Sequence, residues 1–204
     1  MGRAKFTEAE FLDAALAVVA EGGPGLLTVA NVGARLGAPV GSFYHRFASR
    51  EVLLGTLWLR TVLDFRRGIL AALAARDGLA AALHTPAWVR ENPGAARLLL
   101  LHDRADFVQG DWPEGLRAEV TAMTAAMGES TAGFALLMFG RDDAQARRLV
   151  QFLLAEMPVA AVRQHVRRRE RPPVLVDELI ATTYRAVVGE HRERSIWGAF
   201  TTPG

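Results

Sequence analysis

The sequence predicts an all-α chain, and three observations carry that reading. Apolar residues recur at helical spacing along nearly its whole length, no alternating stretch of useful length marks a strand, and cap and stop residues bracket the apolar stripes. About nine helices are expected, in an N-terminal three-helix domain over residues 1–54, a larger helical domain over 55–190 and a tail over 191–204.

The first helix is expected over residues 8–21, where Phe11, Ala15, Val18 and Val19 form a stripe that Leu12 and Leu16 widen. Thr7 and Glu10 have the spacing of a capping box, and Phe6 and Phe11 that of a hydrophobic staple. The run Gly22-Gly23-Pro24-Gly25 stops the helix. A second, short helix starts at Thr28, with Leu27 and Val32 as its staple, and ends at Gly37. Pro39 opens a third that runs through Tyr44 towards Phe47, and Ser49 then caps a long fourth over 50–75. Asp77-Gly78 breaks the pattern, and later helices are expected over 79–90, 94–107, 114–127, 142–169 and 173–188, with a kink at Pro158. The apolar segment 131–139 lacks a clear start. Beyond Glu190 the chain is punctuated by Gly and Pro, with Trp197 and Phe200 able to dock.

Composition removes several function classes. Half of the 204 residues are hydrophobic, which suffices for a sizeable core, yet apolar runs such as 98–101 and 134–139 fall far short of the ~20 residues that span a bilayer. Arg3, Lys5 and acidic residues occupy the opening segment in place of an apolar signal core, so a cytoplasmic protein with no membrane partner is expected. There is no cysteine, hence no disulfide, thiolate nucleophile or Cys-ligated metal. His84, His102, His165 and His191 are scattered without a His-x-x-x-His pair, so no metal site is expected. No Gly-rich phosphate loop or nucleophile elbow is present, which argues against an enzyme and against a cofactor. The formal charge of +2 singles out no partner, and every cation but Lys5 is arginine.

Residues 28–44 have the proportions of a helix-turn-helix, two short helices about a Gly-containing turn. The continuation Gly41-Ser42-Phe43-Tyr44-His45-Arg46-Phe47-Ala48-Ser49-Arg50-Glu51-Val52-Leu53-Leu54 resembles the hallmark of the tetracycline-repressor (TetR) family of regulators. Thr28, Val29, Gly37, Gly41, Tyr44, Phe47, Ser49 and Leu53 match the family pattern directly, and Val32, Phe43 and Arg50 replace its residues conservatively. Gly33 and Leu36 stand where the pattern has alanine, Ala38 replaces the turn valine and Pro39 the usual serine.

The resemblance implies a DNA-binding regulator, a ligand-released repressor that works as a homodimer on a near-palindromic operator of double-stranded DNA. Its larger domain would bind an effector and dimerise. Thr28, Ser42, Tyr44 and Arg50 are then expected at phosphates, Val40, Gly41, Ser42 and His45 within reach of base edges beside Pro39, and Arg3 and Lys5 at the neighbouring backbone or minor groove. Residues 1–54 hold five cations and five anions, a weak electrostatic footprint for such a role. The resemblance further implies that the last two helices pair across a two-fold axis, with Val150, Leu153, Met157, Ala160, Leu179, Thr183 and Ala186 as candidates for the seam. A small, mainly apolar effector is expected among Phe65, Trp88, His102, Met123, Met127 and Phe152, although such a stripe serves equally as filled core. A helical enzyme or helical interaction protein sharing only the opening motif is the alternative. The basic run Arg163, Arg167, Arg168, Arg169 and Arg171 reads as a solvated helix end, where cations complement the dipole.

Overall fold

The computed structural model describes residues 6–107 and 112–198, with side chains as far as His191. Among these residues it has ten α-helices and no strand. They are α1 (Glu8–Gly22), α2 (Val29–Leu36), α3 (Val40–Tyr44), α4 (Arg50–Ala74), α5 (Gly78–Glu91), α6 (Pro93–Leu101), α7 (Glu114–Phe139), α8 (Ala144–Gln151), α9 (Met157–Arg168) and α10 (Val174–Gly198). Counting α8 and α9 as one broken helix gives the nine expected. No helix of the described residues is long and apolar enough to cross a membrane.

Two compact units divide the chain, Met1–Asp64 with Asn92–Thr121, and Phe65–Glu91 with Ala122–Gly204. The first contains α1 to α3, in which α1 packs on α2 and α6. Its core is aromatic: Phe11 stands edge-on to Phe43 and Phe47, with ring centres 5.9 and 6.2 Å away, above fully buried Leu27, Val32, Leu53 and Leu57. Trp112 closes over Gly55 so tightly that a Cβ there would lie 2.5 Å from the indole. In the second unit α5 packs against α9 and α10 over Trp88, Leu153, Val162 and Ile180. Tyr184 and Phe134 both press on Gly78, where a Cβ would come within 2.1 Å of the phenol oxygen. The guanidinium of Arg90 bonds Asp177 and the carbonyls of Pro172 and Pro173, which fixes the turn into α10.

Four elements differ from the expectation, each for a local reason. The helix expected to reach residue 107 stops at Leu101: His102 is extended, and Asp103 with Asp106 forms a capping box on a separate 3₁₀ turn, Arg104–Asp106. Short side chains that bond nearby amides compete with the helix ladder, and here they win. Segment 131–139 lacks a start because it is the end of α7, where the hydroxyls of Ser130 and Thr131 bond the carbonyls of Ala126 and Met127. The break expected at Pro158 falls one turn earlier, as a π-helical turn over Phe152–Glu156 in which the amide of Met157 reaches back to Phe152. Proline crowds the carbonyl four residues before it, so the preceding turn widens. The tail expected from residue 191 begins inside α10, which continues to Gly198. The docking expected of Trp197 and Phe200 concerns side chains outside the described residues.

Candidate nucleic-acid interface

Caps set the positions of α2 and α3. Thr28 accepts the amide of Asn31 at 3.0 Å, while the amide side chain of Asn31 holds the carbonyl of Leu26 at 2.7 Å. The α2 stop is a Schellman turn: Gly37 has φ +68°, and Ala38 and Gly37 donate to the carbonyls of Gly33 and Ala34 at 2.9 and 3.4 Å. A Cβ on Gly33 would sit 3.0 Å from the carbonyl oxygen of Ala38, so this departure from the family alanine suits the close turn. Pro39 precedes α3 and caps it with no side-chain hydrogen bond.

Burial then sorts the residues of α3. Phe43, 1% exposed, is clamped by Phe11 and Phe47. That anchor turns Val40, Gly41, Tyr44 and His45 to solvent, with Ser42 half-buried and Pro39 exposed. The ring of Tyr44 stands edge-on to Phe43 at 5.2 Å and is 58% exposed, so it is no packing residue. Thr28 is exposed as well, its oxygen engaged as an acceptor and its O–H left to donate.

Arg50 is turned inward instead of standing free for a phosphate. Its Nε bonds the carbonyl of Leu27, one η nitrogen bonds that of Pro24 at 2.8 Å, and the other lies 3.5 Å from Glu51. The guanidinium therefore ties the start of α4 to the turn between α1 and α2. Arg35 is paired in a two-bond fork with Glu21 at 2.6 and 2.9 Å. Arg46, which sequence reasoning passed over, holds the carbonyl of Phe6 at 3.1 Å and so brings the start of α1 beside the end of α3. Nothing in the sequence distinguished it from other arginines. Arg3 and Lys5 lie outside the described residues.

The expected effector residues do not form one group. His102 belongs to the first unit, with its ring 6.2 Å from that of Phe107 and against Gly23, while the other five belong to the second. Trp88 is buried against Phe65 at 5.0 Å, with His84 on the other ring contact of Phe65 at 5.5 Å, which is tight packing. Met123, Met127 and Phe152 are half-buried. Among the seam candidates, Val150 and Leu153 are 3% and 1% exposed within their own subunit, so they belong to its core and not to a seam. Ala160, Leu179 and Ala186 are exposed, and Met157 and Thr183 half-buried.

A short helix anchored by one buried aromatic, presented after a tight glycine turn and displaying a polar and apolar outer face, has the form of a helix-turn-helix reading head. Residues 11–57 match the family model described as bacterial regulatory proteins, tetR family. The likeness to that family's DNA-binding domain is carried by these residues, about a quarter of the chain. No curated protein sequence matches it. Two solved structures share its fold: the transcriptional regulator FadR of Bacillus subtilis in complex with stearoyl-CoA, and a protein of Shewanella sp. PV-4 assigned to the tetR family of transcription regulators. The first is 16% identical over 87% of this chain and 97% of its own, with a TM-score of 0.65. The second is 17% identical over 90% and 96%, with a TM-score of 0.67.

Proposed function

We propose that this protein is a ligand-released repressor acting in the cytoplasm as a homodimer on a near-palindromic operator. One observation carries the reading: the single buried anchor Phe43 leaves Val40, Gly41, Tyr44 and His45 together on the outer face of α3, inside the segment that matches the tetR family. Val40 and His45 read bases. Thr28, Ser42 and Tyr44 give hydroxyls to phosphates and set the register, and Arg50 keeps the head rigid behind them.

The homodimer is supported by an apolar face on α10 that has no cover among the described residues. Leu175 and Leu179 are each 57% exposed, and Thr183 and Ala186 follow at helical spacing. Along the π-helical turn and α9 a hollow of about 500 Å³ is lined by Ala155, Glu156, Val159, Ala160 and Arg163, room for the side chains of a partner helix. Two such helix pairs meeting about a two-fold axis make a four-helix bundle. The domain over residues 55–190 holds the effector, a small and mainly apolar molecule; a fold neighbour solved with an acyl-CoA lends support to a lipid-like ligand.

Selection of bound sequences from random DNA, followed by footprinting and sedimentation, tests the reading. An inverted repeat with half-sites about one helical turn apart, ~34 Å or somewhat more, is expected together with a dimer at micromolar protein. A monomer, or a footprint without inverted symmetry, would overturn it.

A further inference from the structure

We propose that the two-fold axis of the homodimer crosses α9 between Val159 and Ala160 and crosses α10 beside Thr182, at right angles to both helices. Glu156 then faces Arg163 of the partner subunit, and Glu178 faces Arg185 of the partner subunit, so that each chain selects a copy of itself. The proposal rests on the homodimer reading and adds to it the register and the residues that decide which chains can pair.

The hollow along the π-helical turn and α9 carries a charge of opposite sign at each end. Glu156, Val159, Ala160 and Arg163 stand at i, i+3, i+4 and i+7, on one face of the helix, with about 10 Å of rise from the acid to the base. Arg163 is exposed and has neither an acid nor a carbonyl for partner among the described residues, unlike Arg90 and Arg147. Glu156 is half-buried and gives one oxygen to Arg148 at 2.8 Å, which leaves the other for a second cation. The midpoint of the two charges falls between Val159 and Ala160. When a helix meets its own copy antiparallel across a two-fold axis at that point, residues equally far on either side come face to face. Acid then meets base twice, and the larger Val159 meets the smaller Ala160 of the partner subunit. A parallel approach would set acid on acid and base on base.

The exposed side of α10 repeats the spacing. Glu178 and Arg185 are exposed, stand seven residues apart, and have no partner among the described residues. Leu179, Thr182 and Ala186 are exposed among them, and the midpoint of the two charges falls beside Thr182. Because α9 and α10 pack together across a short connection, they run antiparallel, and heights along them can be compared from the turn. The α9 midpoint lies about 13 Å before Arg168 and the α10 midpoint about 11 Å after Val174. One straight axis therefore crosses both helices. Exposed ion pairs add little affinity, so the apolar face supplies the adhesion; the charges supply the choice, since a helix without the reciprocal spacing brings like charges together.

Charge reversals in the full-length protein test this, read by sedimentation over a range of concentrations and by native mass spectrometry of mixed subunits. Glu156→Arg and Arg163→Glu should each raise the dimer dissociation constant about tenfold or more, because each places two like-charge contacts in the dimer. Glu156→Arg combined with Arg163→Glu in one chain should dimerise as tightly as the unaltered protein. Arg148 is still without its acid in that double variant, so the recovery cannot come from within the subunit. Mixing the two single variants should give heterodimers well above the random share of about half. Mixing Glu156→Arg with Arg171→Glu combines the same two net charges and should give the random share. Glu178→Arg and Arg185→Glu should follow the same pattern, and since they break no bond within the subunit they carry the test if Glu156→Arg folds poorly. Single reversals that dimerise like the unaltered protein, a double variant that stays weakened, or equal preference in the two mixtures refutes the proposal and leaves the homodimer standing. An unaltered protein that is monomeric throughout refutes both.

Discussion

Replacing Arg50 by methionine should unfold the reading head before it changes how the head meets DNA. The side chain makes two charge-assisted bonds, to the carbonyls of Leu27 and Pro24, from a position that is one-third exposed. Bonds to a charged group contribute ~1.5–3 kcal/mol each, and exposure places this pair at the low end, so the loss is about 2–3 kcal/mol. For a chain of this length each kcal/mol moves the melting temperature by roughly 2–4 °C, which gives a drop of about 5–10 °C. Lysine keeps the charge but lacks the fork, reaches one carbonyl, and should lose about half as much. The assay pairs calorimetric melting with operator binding at several salt concentrations, measured well below the melting point. If Arg50 instead neutralised a phosphate, the salt slope would fall by about one and melting would not move. That outcome for Arg50→Met would refute the brace.

Tyr44→Phe removes one exposed hydroxyl, so operator affinity should fall by ~1 kcal/mol with melting unchanged; equal affinity for the two proteins would remove the phosphate contact. Gly37→Ala forces a Cβ into the left-handed backbone at φ +68° and should cost ~1–2 kcal/mol, read as a lower melting temperature, whereas Gly37→Asn should cost less. Hydrogen bonds from the Thr7 backbone amide and hydroxyl hold the Glu10 carboxyl below its ordinary pKa. A depressed carboxylate stabilises the fold above its unfolded pKa, ~4.3, and that contribution disappears as pH falls through the folded value. Melting curves of the native protein and Glu10→Gln should therefore differ at pH 6 and converge in acid, and a gap that is constant with pH would count against the capping box.

The reading head was legible because its determinants are local. Thr7, Thr28, Ser49 and Gly37 each act within four residues, so spacing alone located them, and the structure has all four in those roles. The second half was less legible wherever a choice lay between two partners equally distant in sequence. Val150 and Leu153 lie on an apolar face as strong as that of Leu179, but period gives a stripe without saying what covers it, and α5 and its neighbours cover this one. His102 looked like a polar handle beside Leu98–Leu101; the Asp103 and Asp106 cap ended the helix before it and left it against Gly23. Arg46 gave no signal at all. In a chain with arginine at nearly every basic position, one more carries no information until its partner is known.

That abundance of arginine has a structural consequence beyond coding habit. The C-terminal end of every helix leaves carbonyls without ladder partners, and the turns between helices add further acceptors. Arginine meets this need better than lysine, because its planar fork can bind two acceptors at once with donors already oriented. Arg50 takes the carbonyls of Pro24 and Leu27, Arg90 those of Pro172 and Pro173, Arg97 that of Ala20 and Arg46 that of Phe6. Ala20 lies in the last turn of α1, while the other acceptors lie in the segments that lead into α1, α2 and α10, where Pro24 and Pro173 also accept a backbone amide. The arrangement locks turns in place without drawing on the apolar core, and it leaves Arg35, Arg46 and Arg50, the arginines among the described residues of 1–54, each already engaged. If the head binds DNA as proposed, hydroxyls, helix-end amides and shape carry much of its affinity, and its salt dependence should be shallow.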